Sequence, residues 1–596
     1  MVAAETQHTL PGPEEYALDA APLLVQESDA GDTVTGRDKA PGHINSSWTW
    51  TPMWHQLCHF GPGEFDAVMQ NLVRNPNILS SWLFRADIVA EGTQAVEAVK
   101  DGPVLPSFET LARADERTLV RRLIPRNTLR DKPMLQTCVF YESASRRDDE
   151  DVEEHDHTQA NRVTLDANGN GPIERSLVVY LPHTTGPADI PFYHPKVQGV
   201  GFLHEWRPMD GDGTVSLHFS FFEEDVVAKS PAALSGKLSR PILARVALSL
   251  INTVHKHGEG KRAGYVKRVH HDQLVPQACV QDRYTRLKEK YARRLVQTWQ
   301  ETTDPAKHVF EDLSIAAFLM ELWMDMYGST DEKEHAGKGD GNMVPVAFPG
   351  FIDVGCGNGL LVHILNEEGY RGWGFDARKR RSWQQYGNNE DKRTPESKGL
   401  SLRESLLLPY FLTQDDSQQQ SDEEDGTDDD DRQRRKRQKG PDIHDGTFPQ
   451  GTFLIANHAD ELTVWTPLLA ALSDCTFLAI PCCSHNFTGA RFRAPPPSAA
   501  AKEVTASVSV TLASSSTYAS FVEWVASVAE DCGWKVEFEM LRIPSTRNVG
   551  LVGRTRSSPT SFNLEQALQV ITKYGGAHGF ADNVASLLAE GKKSSH

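Results

Sequence analysis

Long apolar runs and paired cysteines are both missing from this sequence. No stretch of eighteen consecutive apolar residues is present, so no segment is suited to cross a bilayer as a helix. The eight cysteines among 596 residues are widely scattered, which favours a reducing compartment over a disulfide framework. The N-terminal residues lack a basic segment followed by an apolar one. We therefore expect no secretory signal, no membrane partner and a cytoplasmic location.

An excess of positive charge is also missing, because the formal net charge is −19 at pH 7. An acidic protein would normally repel nucleic acid. The acidic surplus, however, lies mainly in residues 1–50, 146–157 and 413–440, whereas residues 256–294 are locally basic. The field near a site matters more than the total charge, so an RNA partner stays open. A solvated helix face would explain the basic stretch equally well.

Composition and periodicity divide the chain into five parts. The predicted parts are a disordered tail (1–45), an α+β accessory domain that is a candidate for RNA contact (46–281), a helical connector with a glycine-rich linker (282–342), a βα-alternating domain with a disordered insertion at 413–440 (343–560), and a C-terminal helical tail (561–596). In the fourth part, the region around 379–411 predicts a helix. Residues 535–541 and 548–554 predict an antiparallel pair of strands that closes the sheet.

The most informative motif runs from Phe351 to Leu361. A short apolar run ends at Asp353, and the glycine-rich turn of residues 355–359 then leads into an amphipathic segment. Such a turn lets the backbone lie close to a nucleotide-like ligand at a helix N-terminus. Asp376 ends the next apolar strand, 17 residues after Gly359. This position suits an acceptor for ribose hydroxyls.

The glycine spacing disfavours two common kinds of nucleotide ligand, while a structural glycine turn and other nucleotide-binding folds stay open. It departs from the dinucleotide pattern G-x-G-x-x-G and lacks the Lys-Ser/Thr of a triphosphate loop. The motif instead resembles the first motif of class I S-adenosylmethionine methyltransferases, and an acid before the glycines suits a cationic ligand without phosphate. The resemblance implies an α/β, doubly wound, Rossmann-like sheet with an antiparallel last strand, following the α+β accessory domain. The predicted S-adenosylmethionine-binding residues are Asp353, Gly355, Cys356, Gly357, Asn358, Gly359, Asp376 and Asn457.

Polar side chains also follow the third predicted strand, residues 452–456. They are Asn457, His458, Asp460 and Glu461. Ligands of such sheets bind outside the carboxyl ends of the strands, so these groups are placed to orient an acceptor or remove a proton. Helix capping and pairing with the helix dipole would also explain Asp460 and Glu461.

Cys482, Cys483 and His485 follow the fourth predicted strand and place three potential soft ligands within four residues. Adjacent cysteines are a poor geometry for a closed tetrahedral zinc site, and no complementary C-x-x-C pair exists. We therefore expect packing at the strand end and no metal.

A basic cluster, residues 378–381, lies directly after Asp376, with Trp383 beside it. A basic cluster next to an aromatic residue suits a phosphate backbone and a stacked base. An exposed basic helix face with one buried tryptophan is the alternative.

Several stretches, in order along the chain, resemble the eukaryotic tRNA (uracil-2′-O)-methyltransferases that act on position 44 of serine tRNA. The resemblance covers roughly residues 115–555, and the acidic insertion and the proline-rich 488–515 loop depart from it. It implies methyl transfer from S-adenosylmethionine to a uridine 2′-hydroxyl of tRNA. The matching stretches are 121–126, 135–141, 265–269, 271–272, 288–292, 307–312, 353–361, 376–378, 382–383 and 457–462.

A ribose hydroxyl is a weak nucleophile, so the implied reaction needs alignment and a proton acceptor. Asp460 or Glu461 is the predicted base, His458 is the alternative base, and Arg378 is predicted to hold a phosphate. Three other functions stay open: a methyltransferase acting on another RNA or on protein, an S-adenosylmethionine-binding protein without catalysis, and an NAD-dependent oxidoreductase. The glycine spacing disfavours the last.

Overall fold

The computed structural model divides the chain into two compact units, Met1–Val266 and Lys267–His596. The predictions for residues 1–45, 146–157 and 413–440 lie outside the described residues. The structure describes residues 48–98, 102–108, 111–128, 130–143, 173–222, 241–265, 271–332, 344–387, 401–412, 442–496, 516–558 and 561–593.

The first unit contains an antiparallel sheet of eight strands. Seven strands follow the order β1-β8-β7-β6-β5-β4-β2, and β3 pairs with β5. The strands are β1 (Trp50–Cys58), β2 (Leu83–Glu91), β3 (Leu111–Arg113), β4 (Leu119–Pro125), β5 (Met134–Ser143), β6 (Glu174–Pro182), β7 (Gly199–Arg207) and β8 (Asp212–Ser220).

Three helices accompany this sheet: α1 (Pro62–Arg74), α2 (Thr93–Ala98) and α3 (Pro241–Arg262). Proline occupies the first turn of α1, where a missing N–H does no harm, and Glu64 accepts a 3.0 Å bond from the Gly61 N–H. The apolar faces of α1 and α3 are buried with the strand residues Phe202 and Phe219 in one core. The predicted α+β architecture of this part is confirmed.

The second unit contains another sheet of eight strands, ordered β12-β11-β10-β9-β13-β14-β16-β15. The first six strands of this order are parallel to one another. Strand β16 is antiparallel to both of its neighbours, β14 and β15. The predicted doubly wound sheet with an antiparallel end is therefore confirmed. The strands are β9 (Phe351–Val354), β10 (Gly372–Asp376), β11 (Leu402–Leu407), β12 (Asp442–His444), β13 (Phe453–Asn457), β14 (Thr476–Ile480), β15 (Trp534–Met540) and β16 (Val549–Arg556).

Helices cover both faces of this sheet, and its central strands are apolar on both sides, as buried parallel strands require. Ile352 and Leu454 face one core, whereas Phe351 and Phe453 face the other. The helices are α4 (Gln277–Leu287), α5 (Arg293–Gln297), α6 (Pro305–Tyr327), α7 (Leu360–Glu367), α8 (Trp383–Tyr386), α9 (Trp465–Leu472), α10 (Thr517–Asp531), α11 (Leu564–Lys573) and α12 (Phe580–Lys593), with a π-helical turn, Lys288–Ala292, between α4 and α5. None of the described helices has the length and apolar composition needed to cross a bilayer.

The predicted helix around 379–411 is wrong in its last part. Only the short α8 is helical among the described residues of this region, and Leu402–Leu407 form β11. Leucines that suit a helix also suit a strand, and here β11 pairs in parallel with both β10 and β12. Tertiary pairing therefore overrides the local preference.

Candidate active site

A cavity of about 450 Å³ lies at the carboxyl ends of β9, β10 and β13. Helix α6 and Leu587 of α12 complete its lining among the described residues. Every predicted site residue except Gly359 lines it. The charged and polar residues of its lining are His308, Glu311, Asp312, Asp353, Asn358, Asp376, Arg378, Arg380, Asn457, His458, Asp460 and Glu461.

The glycine turn begins at the end of β9 and is attached to β10. The N–H groups of Gly355 and Cys356 donate to the Phe375 carbonyl at 2.9 and 3.0 Å. Gly355 and Gly357 have φ of 76° and 54°, where L side chains are strained. A Cβ built at Gly357 would meet no atom within 4 Å, so this side of the turn is open to a ligand. Gly359 instead packs against Leu402, which explains why it does not line the cavity.

Asp376 holds the turn through its carboxylate. It accepts bonds from the Gly357 N–H at 3.0 Å and from the Arg378 N–H at 3.2 Å. Burial raises the pKa of Asp376, and these bonds together with the nearby Arg380 oppose that rise. A carboxylate has about four acceptor positions, so capacity for ribose hydroxyls is left.

Asp353 is the most deeply buried acid of the cavity, with 1% of its surface exposed. Its Oδ1 atom has no hydrogen-bond partner among the described residues. Burial first, and the charge of Asp376 second, raise the pKa of Asp353 to about 8. A cationic ligand would stabilise the ionised form of Asp353. This carboxyl group therefore fits the positively charged S-adenosylmethionine.

Helix α6 contributes two acids that sequence analysis missed, Glu311 and Asp312. The Asn457 amide donates to Asp312 at 3.4 Å, and the Nε2 atom of His458 lies 3.3 Å from a Glu311 oxygen. Burial, then the charges of Glu311 and Asp353, raise the pKa of Asp312 well above its ordinary value. Both acids lie in the stretch 307–312 that contributes to the family resemblance, and this was the available signal.

The loop after β13 is strained. His458 and Asp460 have φ of 53° and 45°, although neither is glycine. Such conformations cost about 1–3 kcal/mol and cluster at functional sites. The Nδ1 atom of His458 and the Oδ1 atom of Asn457 are buried without a hydrogen-bond partner among the described residues. The loop therefore presents unsatisfied polar atoms within the lining of the cavity.

Cys482 and Cys483 lie beside Asp460 of this loop. Their sulfur atoms and a carboxylate oxygen of Asp460 lie within 4.8 Å of one another, and the Cys482 thiol donates to Asp460 at 3.2 Å. Burial raises the pKa of Cys482 to about 12. A protonated thiol is a poor nucleophile, and the Cys482 thiol helps to hold Asp460 in place.

The basic cluster and the neighbouring tryptophan have different positions in the structure. Arg378 and Arg380 are exposed and line the cavity. Trp383, by contrast, is buried, and its indole N–H donates to the Gly357 carbonyl at 2.9 Å. Of the two alternatives for Trp383, the structure agrees with the buried tryptophan and not with a base-stacking one, because this side chain supports the glycine turn.

Two family models match the chain. One, described as "TRM44-like, N-terminal bet v1-like domain", matches residues 26–268. The other, described as "Predicted AdoMet-dependent methyltransferase", matches residues 274–398. The first match includes every strand of the first sheet, and the second includes β9 and β10 of the other sheet but ends before β11.

Three relatives, each named tRNA (uracil-O(2)-)-methyltransferase, match nearly the full chain. The Neurospora crassa protein is 43% identical over 97% of this chain and 97% of its own. The Schizosaccharomyces pombe protein is 34% identical over 96% and 99%, and the Saccharomyces cerevisiae protein 33% identical over 93% and 96%. No solved structure matches the chain significantly.

Proposed function

This chain belongs to the tRNA (uracil-O(2)-)-methyltransferase family, and we propose that it methylates the 2′-hydroxyl of uridine 44 in serine tRNA. S-adenosylmethionine is the methyl donor of this enzyme class. One structural observation supports the proposal above the others. The buried Asp353, with an oxygen that has no hydrogen-bond partner in the described part of the chain, lies at a glycine turn in a cavity otherwise rich in acids.

Different residues of the cavity are proposed to contact different parts of the methyl donor. Asp376 is proposed to accept bonds from the ribose hydroxyls, and Asp353 to face the positive charge. Gly357 allows the backbone to approach, as its open side indicates. Once bound, S-adenosylmethionine supplies an electrophilic methyl group beside the loop of residues 457–461.

Asp460, Glu461 and His458 are the proposed proton acceptors, and one contact favours His458. If its Nε2–H donates to Glu311, its Nδ1 atom keeps a lone pair. Nδ1 is buried in this structure, so the proposal includes a turn of the ring that exposes this atom to the ribose hydroxyl. Glu311 would then stabilise the imidazolium that forms, as an acid beside a catalytic histidine does. Asp460 already accepts a bond from Cys482, which lowers its capacity as a base.

Arg378 and Arg380 are proposed to hold phosphates of the tRNA. A guanidinium pairs with phosphate through two parallel bonds, and both side chains are exposed near the cavity. A cytoplasmic location is part of the proposal, supported by eight cysteines that are all free.

The test uses two serine tRNA transcripts that differ in one atom. One carries uridine at position 44 and the other carries 2′-deoxyuridine there, and radioactive methyl incorporation is measured with the full chain. We expect about one methyl group per uridine transcript and none in the deoxy transcript. Equal incorporation into both would show that another atom is the acceptor and would overturn the proposal.

A further inference from the structure

The proposed reaction leaves one ring at the wall of the methyltransferase cavity without a role. No Phe, Tyr or Trp is among the described residues that line this cavity, and its two side chains with a planar ring are His308 and His458. His458 is the favoured proton acceptor, and Trp383 is buried where it supports the glycine turn. His308 is therefore the ring that remains for a contact with the base of the acceptor nucleotide.

His308 lies in the first turn of α6, close to the proposed proton acceptor. It precedes Glu311 by three residues, so the two side chains lie on the same face of the helix, with Cβ atoms about 5–6 Å apart. Glu311 in turn contacts Nε2 of His458 at 3.3 Å. The Asp304 side chain caps this turn by accepting from the Ala306 N–H at 2.9 Å, which fixes where the helix begins. A nucleotide whose 2′-hydroxyl lies at His458 therefore has its base within reach of His308.

Trp299 covers one face of the His308 ring. The two ring centroids are 5.9 Å apart and the ring planes differ by 10°, so the rings are stacked. The indole N–H of Trp299 donates to the Thr303 carbonyl at 3.0 Å, and the indole packs against a core of the second unit. Trp299 is therefore fixed and holds the imidazole in one orientation. Because Trp299 occupies one face of His308, a planar ligand that enters the cavity can stack on the other face.

Hydrogen bonds attach the loop before α6 to the segment that follows the basic cluster, residues 378–381. The Glu301 carboxylate accepts from the Ser382 N–H at 2.9 Å and from the Ser382 hydroxyl at 2.8 Å. The Gln385 amide donates to the Thr298 hydroxyl at 2.9 Å. The stacked rings and the exposed cations of the cluster are thus held next to each other. A nucleotide can place its phosphate at the cations and its base on the ring.

We propose that His308, supported by Trp299, is the surface on which the base of the methylated nucleotide stacks. Every base has a flat face, so such a contact positions the nucleotide without reading its sequence. The contact holds the ribose of that nucleotide toward the loop of residues 457–461. This inference rests on the proposed function, because it needs a nucleotide as the methyl acceptor.

The adenine ring of S-adenosylmethionine is the competing occupant, and the order of the strands disfavours it. Asp376, the proposed partner of the donor's ribose, lies at the end of β10. Glu311, three residues after His308, contacts the loop after β13, and β9 separates β10 from β13. The adenine ring is bonded to the donor's ribose, so it belongs on the β10 side of the cavity.

The experiment compares two serine tRNA transcripts, one with uridine at position 44 and one with an abasic ribonucleotide there. The abasic transcript keeps the 2′-hydroxyl and lacks only the base. Loss of the base should lower kcat/KM of the full chain by about 5–150-fold, as removal of one base–aromatic stack does. His308→Ala should lower kcat/KM on the uridine transcript by a similar factor and show no further loss on the abasic one.

Two outcomes of this comparison contradict the inference, and they are distinguishable. An equal effect of base loss in the parent and in His308→Ala would overturn the stacking contact and leave the proposed function intact. No methylation of the uridine transcript by the parent would overturn the proposed function and this inference with it.

Two further variants define the nature of the contact. His308→Phe keeps a flat aromatic face and should retain the effect of base loss, which a role of the imidazole in proton transfer would not allow. Lys307→Ala, at an exposed neighbouring position outside the cavity lining, should also show the parental effect of base loss. Loss of this effect in Lys307→Ala would show that it is not specific to the ring and would overturn the inference.

Binding of the methyl donor is the remaining control. The S-adenosylmethionine affinity of His308→Ala, measured by calorimetry, should stay within about twofold of the parent. A loss as large as the loss of turnover would assign the ring to the donor and overturn the inference. Thermal melts check that each variant is folded. If His308→Ala does not fold, His308→Gln, which removes the aromatic ring and keeps a polar side chain, takes its place in every comparison.

Discussion

The cavities of the two units have opposite electrostatic character, although both lie in one chain of net charge −19. The methyltransferase cavity contains six acids, several of them buried with raised pKa values. The cavity of the first unit has no acid among its described lining residues and contains the buried Arg121. Local packing, not total charge, determines which ligand charge each cavity stabilises. The following predictions test the acidic cavity.

The largest effect is expected from the proposed base. His458→Ala should lower kcat of tRNA methylation by about 10²–10⁴-fold, the usual contribution of a general base. Glu311→Gln should lower it less and shift the pH–rate profile, because Glu311 acts through His458. Single-turnover methylation would measure both. Full turnover in His458→Ala, with loss in Asp460→Asn or Glu461→Gln, would instead assign the base to that acid.

Loss of the central acid is the next largest effect. Asp353→Asn keeps the shape of the side chain and removes its charge, so S-adenosylmethionine affinity should fall by about 10–100-fold. The same variant should be more stable than the parent at pH 8, because a buried carboxylate opposes folding. Calorimetry and thermal melts measure the two quantities. Unchanged affinity would contradict the proposed site.

The raised pKa of Asp353 predicts a pH dependence of binding. With a pKa near 8, its carboxyl is protonated at pH 6–7 in the free protein. A cationic ligand favours the ionised form, so binding should release a proton. The affinity should therefore rise with pH, by up to about tenfold for each pH unit, until the pH reaches about 8. Titrations in buffers of different ionisation enthalpy would measure that proton. The Asp353→Asn variant serves as the control, and it should lose both this proton release and the pH dependence that comes with it.

The same shift also affects stability, with the opposite dependence on pH. The folded Asp353 keeps a proton that the unfolded chain, with a pKa near 4, releases. Its contribution to the free energy of unfolding should therefore decline as pH rises from about 4 to 8. Denaturation curves of the parent and Asp353→Asn at both pH values would show the difference. A constant difference between the two proteins would contradict the raised pKa.

The smallest effect is expected at Trp383, which supports the glycine turn without lining the cavity. Trp383→Phe removes the bond to the Gly357 carbonyl, which contributes about 0.5–1.5 kcal/mol. S-adenosylmethionine affinity should fall by less than about tenfold, with little change in the affinity for tRNA. A large loss of tRNA affinity, measured by filter binding, would restore the role in base stacking.

Much of the second unit could be predicted because its signals are local. The strand ending at Asp353, the glycine turn and the closing pair of strands follow from short sequence patterns, and the family resemblance is confirmed. Strand β11 could not be predicted, since its leucines suit a helix equally well. Its identity depends on pairing with β10 and β12.

The sequence by itself determined the glycine turn and the two strands that flank it, because backbone conformation and apolar periodicity are properties of neighbouring residues. Only the tertiary structure decided that Glu311 meets His458, 147 positions away, and that Glu311 and Asp312 line the same cavity as Asp353. Burial and through-space distance arise when separate elements pack together. A pKa near 8 for Asp353 therefore cannot be read from its neighbours in the chain.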